Sequence, residues 1–297
     1  MGHSPAACGS RLVTVRVLFY DDGHSFLHDA GPLLASDPLR YSVIATNTER
    51  PRTSGQPFWF AAVMRDDHSL AGVAMRTHPD PPHAGFVARM PEAAVGALAA
   101  ALWQRHEVVS AWNGDLVAAR ALCEAMAGGS SVHVVMHTRL FEAKEIIWPP
   151  RPLGNLRIAT AADEDLVTDW LRGFHHDSET QGGREPDPSW TPDVEGVRRT
   201  IRRQGVWLWE VDGVPVHMSG VQPSMFGAAR IGPVYTPSKH RGRGYAGWVV
   251  AQLTRHILDG GDRPCLYTDQ ANPVSNKVYE RIGYQRIHDE GNVIIAE

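Results

Sequence analysis

The chain has 297 residues, 43% of them hydrophobic and 21% charged, which is enough for two globular cores. Its net charge of −4 argues against a nucleic-acid or anionic-membrane partner. No apolar run is long enough to cross a bilayer, and no N-terminal stretch has the basic, apolar, small-residue order of a signal peptide, so a cytoplasmic location is expected. Cys8, Cys123 and Cys265 lie far apart without CxxC spacing, which fits a reducing compartment and neither a disulfide framework nor a zinc site.

In chain order, Trp59–Ala74 (WFAAVMRDDHSLAGVA) reads as a β-hairpin turning at Arg65-Asp66-Asp67-His68. Ala88–Leu102 contains a helix started by Pro91, and Ser110–Ala121 a turn and a second helix. Three prolines in Pro149-Pro150-Arg151-Pro152 favour an extended connector. The expected division is therefore a first domain at 1–148, a linker at 149–155 and a second domain at 156–297.

The second half opens with a strand at Leu156–Ala159. Thr160 and Asp163 then form a capping box for a helix to about Gly173. A polar loop, His175–Trp190, follows; its adjacent histidines His175 and His176 diverge on any helix and do not make metal-ligand spacing, so no metal is expected. Thr191-Pro192 starts a helix ending at Gly205, and Val206–Val211 and Val214–Gln222 form a hairpin around Asp212-Gly213. A strand at Ala229–Tyr235, a helix at Ala246–Leu258, a strand at Cys265–Thr268, a helix from Asn272-Pro273 to Gly283 and a strand at Val293–Ala296 complete an α/β mixed sheet with helices on both faces.

The halves share a pattern. Trp207–Val221 has the strand, charged turn, strand shape of Trp59–Ala74, and Asn113-Gly114 stands opposite Asn272-Pro273, which puts Arg120 near the place of Tyr279. The first half has no paired glycines where the second has them.

Those glycines carry the most information. In Val234–Ala246 (VYTPSKHRGRGYA) a strand runs into a turn in which Gly242 and Gly244 let the backbone approach an anion, Arg241 and Arg243 add charge, and the next helix presents free N–H groups. Downstream, Asn272, Asn276 and Tyr279 share one face of a short helix. Together, RGRGYA and NPVSNKVYERIGY resemble the two acyl-CoA motifs of the GCN5-related N-acetyltransferases (GNATs), over roughly residues 156–297.

The resemblance implies two tandem GNAT-like units, the first degenerate and the second catalytic. Acetyl-CoA would be the co-substrate and a primary amine of a small molecule or peptide the acceptor. Val234, Tyr235 and Thr236 would face the pantetheine arm, with the Val234 amide toward the thioester oxygen. Arg241, Gly242, Arg243, Gly244, Tyr245 and Ala246 would surround the pyrophosphate. Asn272 and Asn276 would line the cofactor, and Tyr279 would act as general acid. No carboxylate stands on the strand before the turn, so His217, Glu210, Asp177, Glu179 or a water chain remain as base. Asp177, Glu179, Glu185 and Asp187 suit a cationic acceptor, whereas Arg198, Arg199, Arg202 and Arg203 suit an acidic one. The alternatives are a non-catalytic acyl-CoA-binding module and, on the tandem arrangement alone, an enzyme similar to mycothiol-synthesising acetyltransferases. A monomer is favoured over a homodimer.

Overall fold

Local chemistry sets the hairpins. In the first, Arg65 N–H bonds to Ser69 C=O at 2.8 Å, the Asp67 carboxylate accepts from Ser69 N–H at 2.9 Å, and His68 takes a left-handed φ of 64°. The computed structural model describes residues 15–296 apart from 53, 54 and 79, so Cys8 lies outside the described residues. The first half runs β1 (Val15–Tyr20), α1 (Gly23–Ser36), α2 (Ser42–Asn47), β2 (Trp59–Arg65), β3 (Leu70–Arg76), β4 (Gly85–Val87), α3 (Glu92–Gln104), β5 (Ala111–Gly114), α4 (Leu116–Met126) and β6 (Val132–Glu142). The second half runs β7 (Asn155–Ile158), α5 (Glu164–Gln181), α6 (Val194–Arg202), β8 (Val206–Val211), β9 (Val214–Val221), β10 (Ala228–Tyr235), α7 (Tyr245–Asp259), β11 (Arg263–Asp269), α8 (Pro273–Arg281) and β12 (Gln285–Ile295). Both halves follow the same order: strand, two helices, three strands, helix, strand, helix, strand.

The twelve strands of the described residues form one sheet in the order β1-β2-β3-β4-β5-β12-β6-β11-β10-β9-β8-β7. Replacing each strand by its counterpart in the other half reverses this order, so the sheet has a pseudo-twofold axis between β12 and β6. The last strand of each half is exchanged. β12 pairs with β5 of the first half (Val293 opposite Trp112), and β6 pairs with β11 of the second (Phe141 opposite Leu266).

The cores follow the exchange. Val293 packs with Trp59, Leu98, Trp112 and Leu122 of the first half, whereas Phe141 packs with Trp209, Val249, Leu253 and Tyr279 of the second. Both exchanged side chains are at most 1% exposed, so each half buries side chains it does not encode.

Four readings of the sequence are corrected. The helix expected to stop near Gly173 continues to Gln181, because His175–Gln181 extends it with a polar face and the chain turns at Gly182 and Gly183. The last strand begins at Gln285 and not at Val293, since the polar run His288–Asn292 pairs with β6. Asn113 and Gly114 lie on β5, and the residue that caps α4 is Asp115, whose carboxylate accepts from Ala118 N–H at 3.0 Å. Aligning Asp115 with the capping Asn272 puts Leu122, not Arg120, in the place of Tyr279; Leu122 is fully buried.

Candidate functional site

The site grows from a defect in the sheet. β10 and β11 are parallel neighbours through Ala228 opposite Arg263 and Arg230 opposite Cys265, and their pairing then ends although both strands continue. On its other edge β10 stays with β9, Val234 opposite Ser219 and Tyr235 opposite Met218. Just before that, Gly220 alone faces Gly232 and Pro233, a β-bulge. A Cβ on Gly220 would stand 2.6 Å from the Gly232 oxygen, so the bulge closes only over a glycine. The first half has no such parting: β4 pairs with β5 from Gly85 to Val87, to the end of both strands, and Asp115 N–H then bonds to Val87 C=O.

The slot between β10 and β11 leads to the glycine turn. Gly242 and Gly244 have φ of 77° and 81°, where side chains are strained, and the space around both is open. Gly244 caps α7, whose first bond runs from Trp248 N–H to Gly244 C=O at 3.1 Å, so the amides of Tyr245, Ala246 and Gly247 have no partner within the helix. Val249, Val250, Leu253 and Ile257 seat that helix in the second core. This surface fits a pyrophosphate: exposed, rich in amide donors and at the positive end of a 15-residue helix.

The two arginines differ. Arg241 donates from Nε to Thr236 C=O at 2.9 Å and pairs through Nη2 with Asp177 of α5, so it braces the turn. Arg243 is exposed and makes no ion pair among the described residues.

The expected stripe of Asn272, Asn276 and Tyr279 is used differently. Asn272 caps α8, accepting from Val274 and Ser275 N–H at 3.2 and 3.1 Å and donating to Gln181 at 2.6 Å. Asn276 donates to Asn272 C=O at 2.8 Å and accepts from the Thr268 hydroxyl at 2.5 Å. Both amides are committed to the β11–α8 turn. Tyr279 is 7% exposed, edge-on to Tyr284 with ring centroids 6.1 Å apart. Burial pushes its phenol well above the ordinary value, so it keeps its proton across the neutral range.

Each of the four candidate bases is engaged. His217 is fully buried, its Nδ1 2.7 Å from Thr236 Oγ1 and its Nε2 2.8 Å from Ser219 Oγ. Desolvation lowers its value to about 3, so the ring is neutral and props the residue after β10. Glu210 is bonded to Arg157 at 2.7 Å, Glu179 to Arg184 at 2.7 Å, and Asp177 to Arg241.

A cleft of about 590 Å³ opens on the other side of the bulge, lined by α5, α6, β9, Gly232 and Pro233, with Arg50 and Asp80 from the first half. Beside it lies a pocket of about 230 Å³ that shares Asn47 and Arg50 and holds Tyr267 and Glu290. Glu290 is 5% exposed, accepts from the Tyr267 hydroxyl at 3.1 Å, and is raised by burial to about 7. The sequence reading missed it, because His288–Asn292 looks like a turn until β6 is placed beside it.

Residues 225–293 match the family model described as FR47-like protein, a stretch that runs through the glycine turn and α8 into β12. A solved Drosophila protein superposes with a TM-score of 0.61 at 15% identity, covering 96% of this chain and 99% of its own. A GCN5-related N-acetyltransferase from Sphaerobacter thermophilus gives 0.57 at 13% identity, with 94% and 95% covered. A tandem GNAT protein from the clavulanic acid biosynthesis pathway gives 0.55 at 13% identity, with 96% and 98% covered. The fold is that of the GCN5-related N-acetyltransferases. No curated protein sequence matches the chain. The doubling of that fold here is shared with the tandem structure along nearly the whole of both chains.

Proposed function

We propose that this chain is an acetyl-CoA-dependent N-acetyltransferase with one working site, in the second half. The observation that carries this reading is the parting of β10 and β11 beyond Arg230 and Cys265, which opens onto the only glycine turn of this kind among the described residues. Residues 1–148 and 156–297 are then two GNAT-like units, each completed by the other's last strand, and the first serves as scaffold and cleft wall.

Bound acetyl-CoA supplies the acyl thioester. The Tyr245, Ala246 and Gly247 amides and Arg243 hold its pyrophosphate, and Val234–Thr236 run beside the pantetheine arm. The Val234 amide faces the thioester oxygen, where charge develops. The acceptor amine enters from the cleft at the Gly232-Pro233 bulge. As the C–N bond forms and the C–S bond breaks, Tyr279 gives its proton to the departing sulfur. The neutral amine loses one proton to water in the open cleft, since His217, Glu210, Asp177 and Glu179 are all engaged, and water returns a proton to the Tyr279 phenolate.

The test is calorimetric titration with acetyl-CoA. One site per chain is expected, and none in Gly244→Glu, whose carboxylate would enter the anion's space at a left-handed φ of 81°. Unchanged affinity in that variant, or two sites in the native chain, would refute the assignment. Binding with no CoA release across amines would leave a non-catalytic acyl-CoA-binding module.

A further inference from the structure

The way the charges around the cleft are satisfied indicates what enters it, provided the cleft is the acceptor site proposed above. The acidic residues near the end of α5 are taken: Asp177 by Arg241, Glu179 by Arg184, and Asp269 by Arg184 at 2.8 Å. On α6, Arg198 is held by Glu164 at 2.8 Å and by Glu195, and Arg199 lies 3.1 Å from Asp193, which is also 3.6 Å from Arg50. Asp80 accepts from the Trp190 indole N–H at 3.0 Å.

Two guanidiniums of the cleft have no carboxylate in contact, although the buried Glu290 acts on Arg230 from a distance. Arg203 reaches only the Gln222 amide oxygen, at 2.9 Å, and Arg230 only the hydroxyls of Ser42 and Thr46, each at 3.3 Å. Neither has an ion pair among the described residues. Glu49, the remaining carboxylate of the lining, is exposed and has no ion pair among the described residues. Desolvation holds the Arg203 guanidinium below its ordinary value; the charge of Glu49 opposes this, and Arg199 and Arg230 add to it. Two cations without ion-pair partners in a cleft with one apolar wall form a receptor for an anion, because a carboxylate between them replaces repulsion with charge-assisted hydrogen bonds.

The placement supplies a direction as well. Gln222, which holds Arg203, also donates to Gly232 C=O at 3.4 Å, so the arginine is tied to the bulge that faces the acyl group. Val167, Leu171, Val197 and Met218 form an apolar wall in the same cleft.

We propose that the acceptor is an amine bearing a carboxylate, its acid group held by Arg203 and Arg230, its carbon skeleton on the apolar wall and its amino group toward Gly232-Pro233. An amino acid with an apolar side chain has this chemistry, and its product would be an N-acetyl carboxylate with free CoA.

The test uses the full chain and matched acceptors that differ only at the acid group: leucine against leucinamide, phenylalanine against phenylalaninamide. CoA release is followed with a thiol reagent, and acetyl-CoA affinity is measured separately by calorimetry. The free acids should have at least tenfold higher kcat/KM. Arg203→Gln should raise KM for the acids at least tenfold while kcat and acetyl-CoA affinity hold, and Arg230→Gln should act in the same direction. Amides used as well as acids, or release with neither, would overturn the proposal. Loss of acetyl-CoA binding would instead fault the reading beneath it. In that case thermal-shift binding of the acids against the amides decides the arginine site by itself, with equal shifts refuting it.

Discussion

Replacing Glu290 by glutamine keeps the side chain's shape and an oxygen for the Tyr267 hydroxyl, and removes one ionisation. In the folded chain this carboxyl rises from 4.5 to about 7; burial is the main cause, Asp115 adds to it, and the Tyr267 hydrogen bond, His288 and Arg230 oppose it. The value is raised, so the sign is fixed. Below 4.5 the group is protonated whether folded or not and ionisation costs nothing. Between 4.5 and about 7 the unfolded chain releases a proton that the folded chain retains, and stability falls as pH rises. Above that window the loss is complete, about 3 kcal/mol. Glu290→Gln lacks this loss. Urea unfolding followed by circular dichroism should give matching stabilities at about pH 4 and a variant more stable by about 3 kcal/mol at about pH 8. Parallel curves across that range would refute the account of Glu290 as a desolvated carboxyl hydrogen-bonded to the Tyr267 phenol.

Other expectations concern the site and the exchanged strands. Tyr279→Phe should lower kcat at least about tenfold with acetyl-CoA affinity nearly unchanged; an unimpaired rate removes it as the acid. Phe141→Ala, a change in the first half, should destabilise the core around α7 by about 3–5 kcal/mol. Hydrogen exchange should show the protection loss in β11 and α7 and not in α3 or α4. His217→Ala should cost about 2–4 kcal/mol by leaving the Ser219 and Thr236 hydroxyls short of a buried partner. It should also weaken acetyl-CoA binding through Thr236, and native-like affinity would separate His217 from the site.

Features set by neighbours in sequence were legible. The hairpins, the glycine turn, the caps at Thr160 and Asn272 and the helix after Gly244 each depend on residues within a turn or two, and each stands within a few residues of its expected place. Features set by distant partners were not. β12 was visible only from Val293 because a strand flanked by two others can carry His288, Asp289 and Glu290 when Arg139, Asp115 and Tyr267 answer them. Side-chain stripes could be placed on a face but not assigned a use: Asn272 and Asn276 share a face with Tyr279, yet their amides are spent on the local turn. The opposing charge cues of the second half could be weighed only once pairing showed which arginines had been left over.

The exchange of β6 and β12 also orders events during synthesis. The first half is made first, but its core stays open beside β5 until residues 285–295 arrive to place Val293 among Trp59, Trp112 and Leu122. The second half, by contrast, finds β6 waiting and can pair β11 with it as soon as β11 is made. A nascent chain would therefore present an unpaired strand edge and an uncovered apolar face for nearly half its length, a hazard for self-association. The oldest part of the molecule is the last to be finished, so the half without the Gly242–Gly244 turn depends for its own folding on the half that has it.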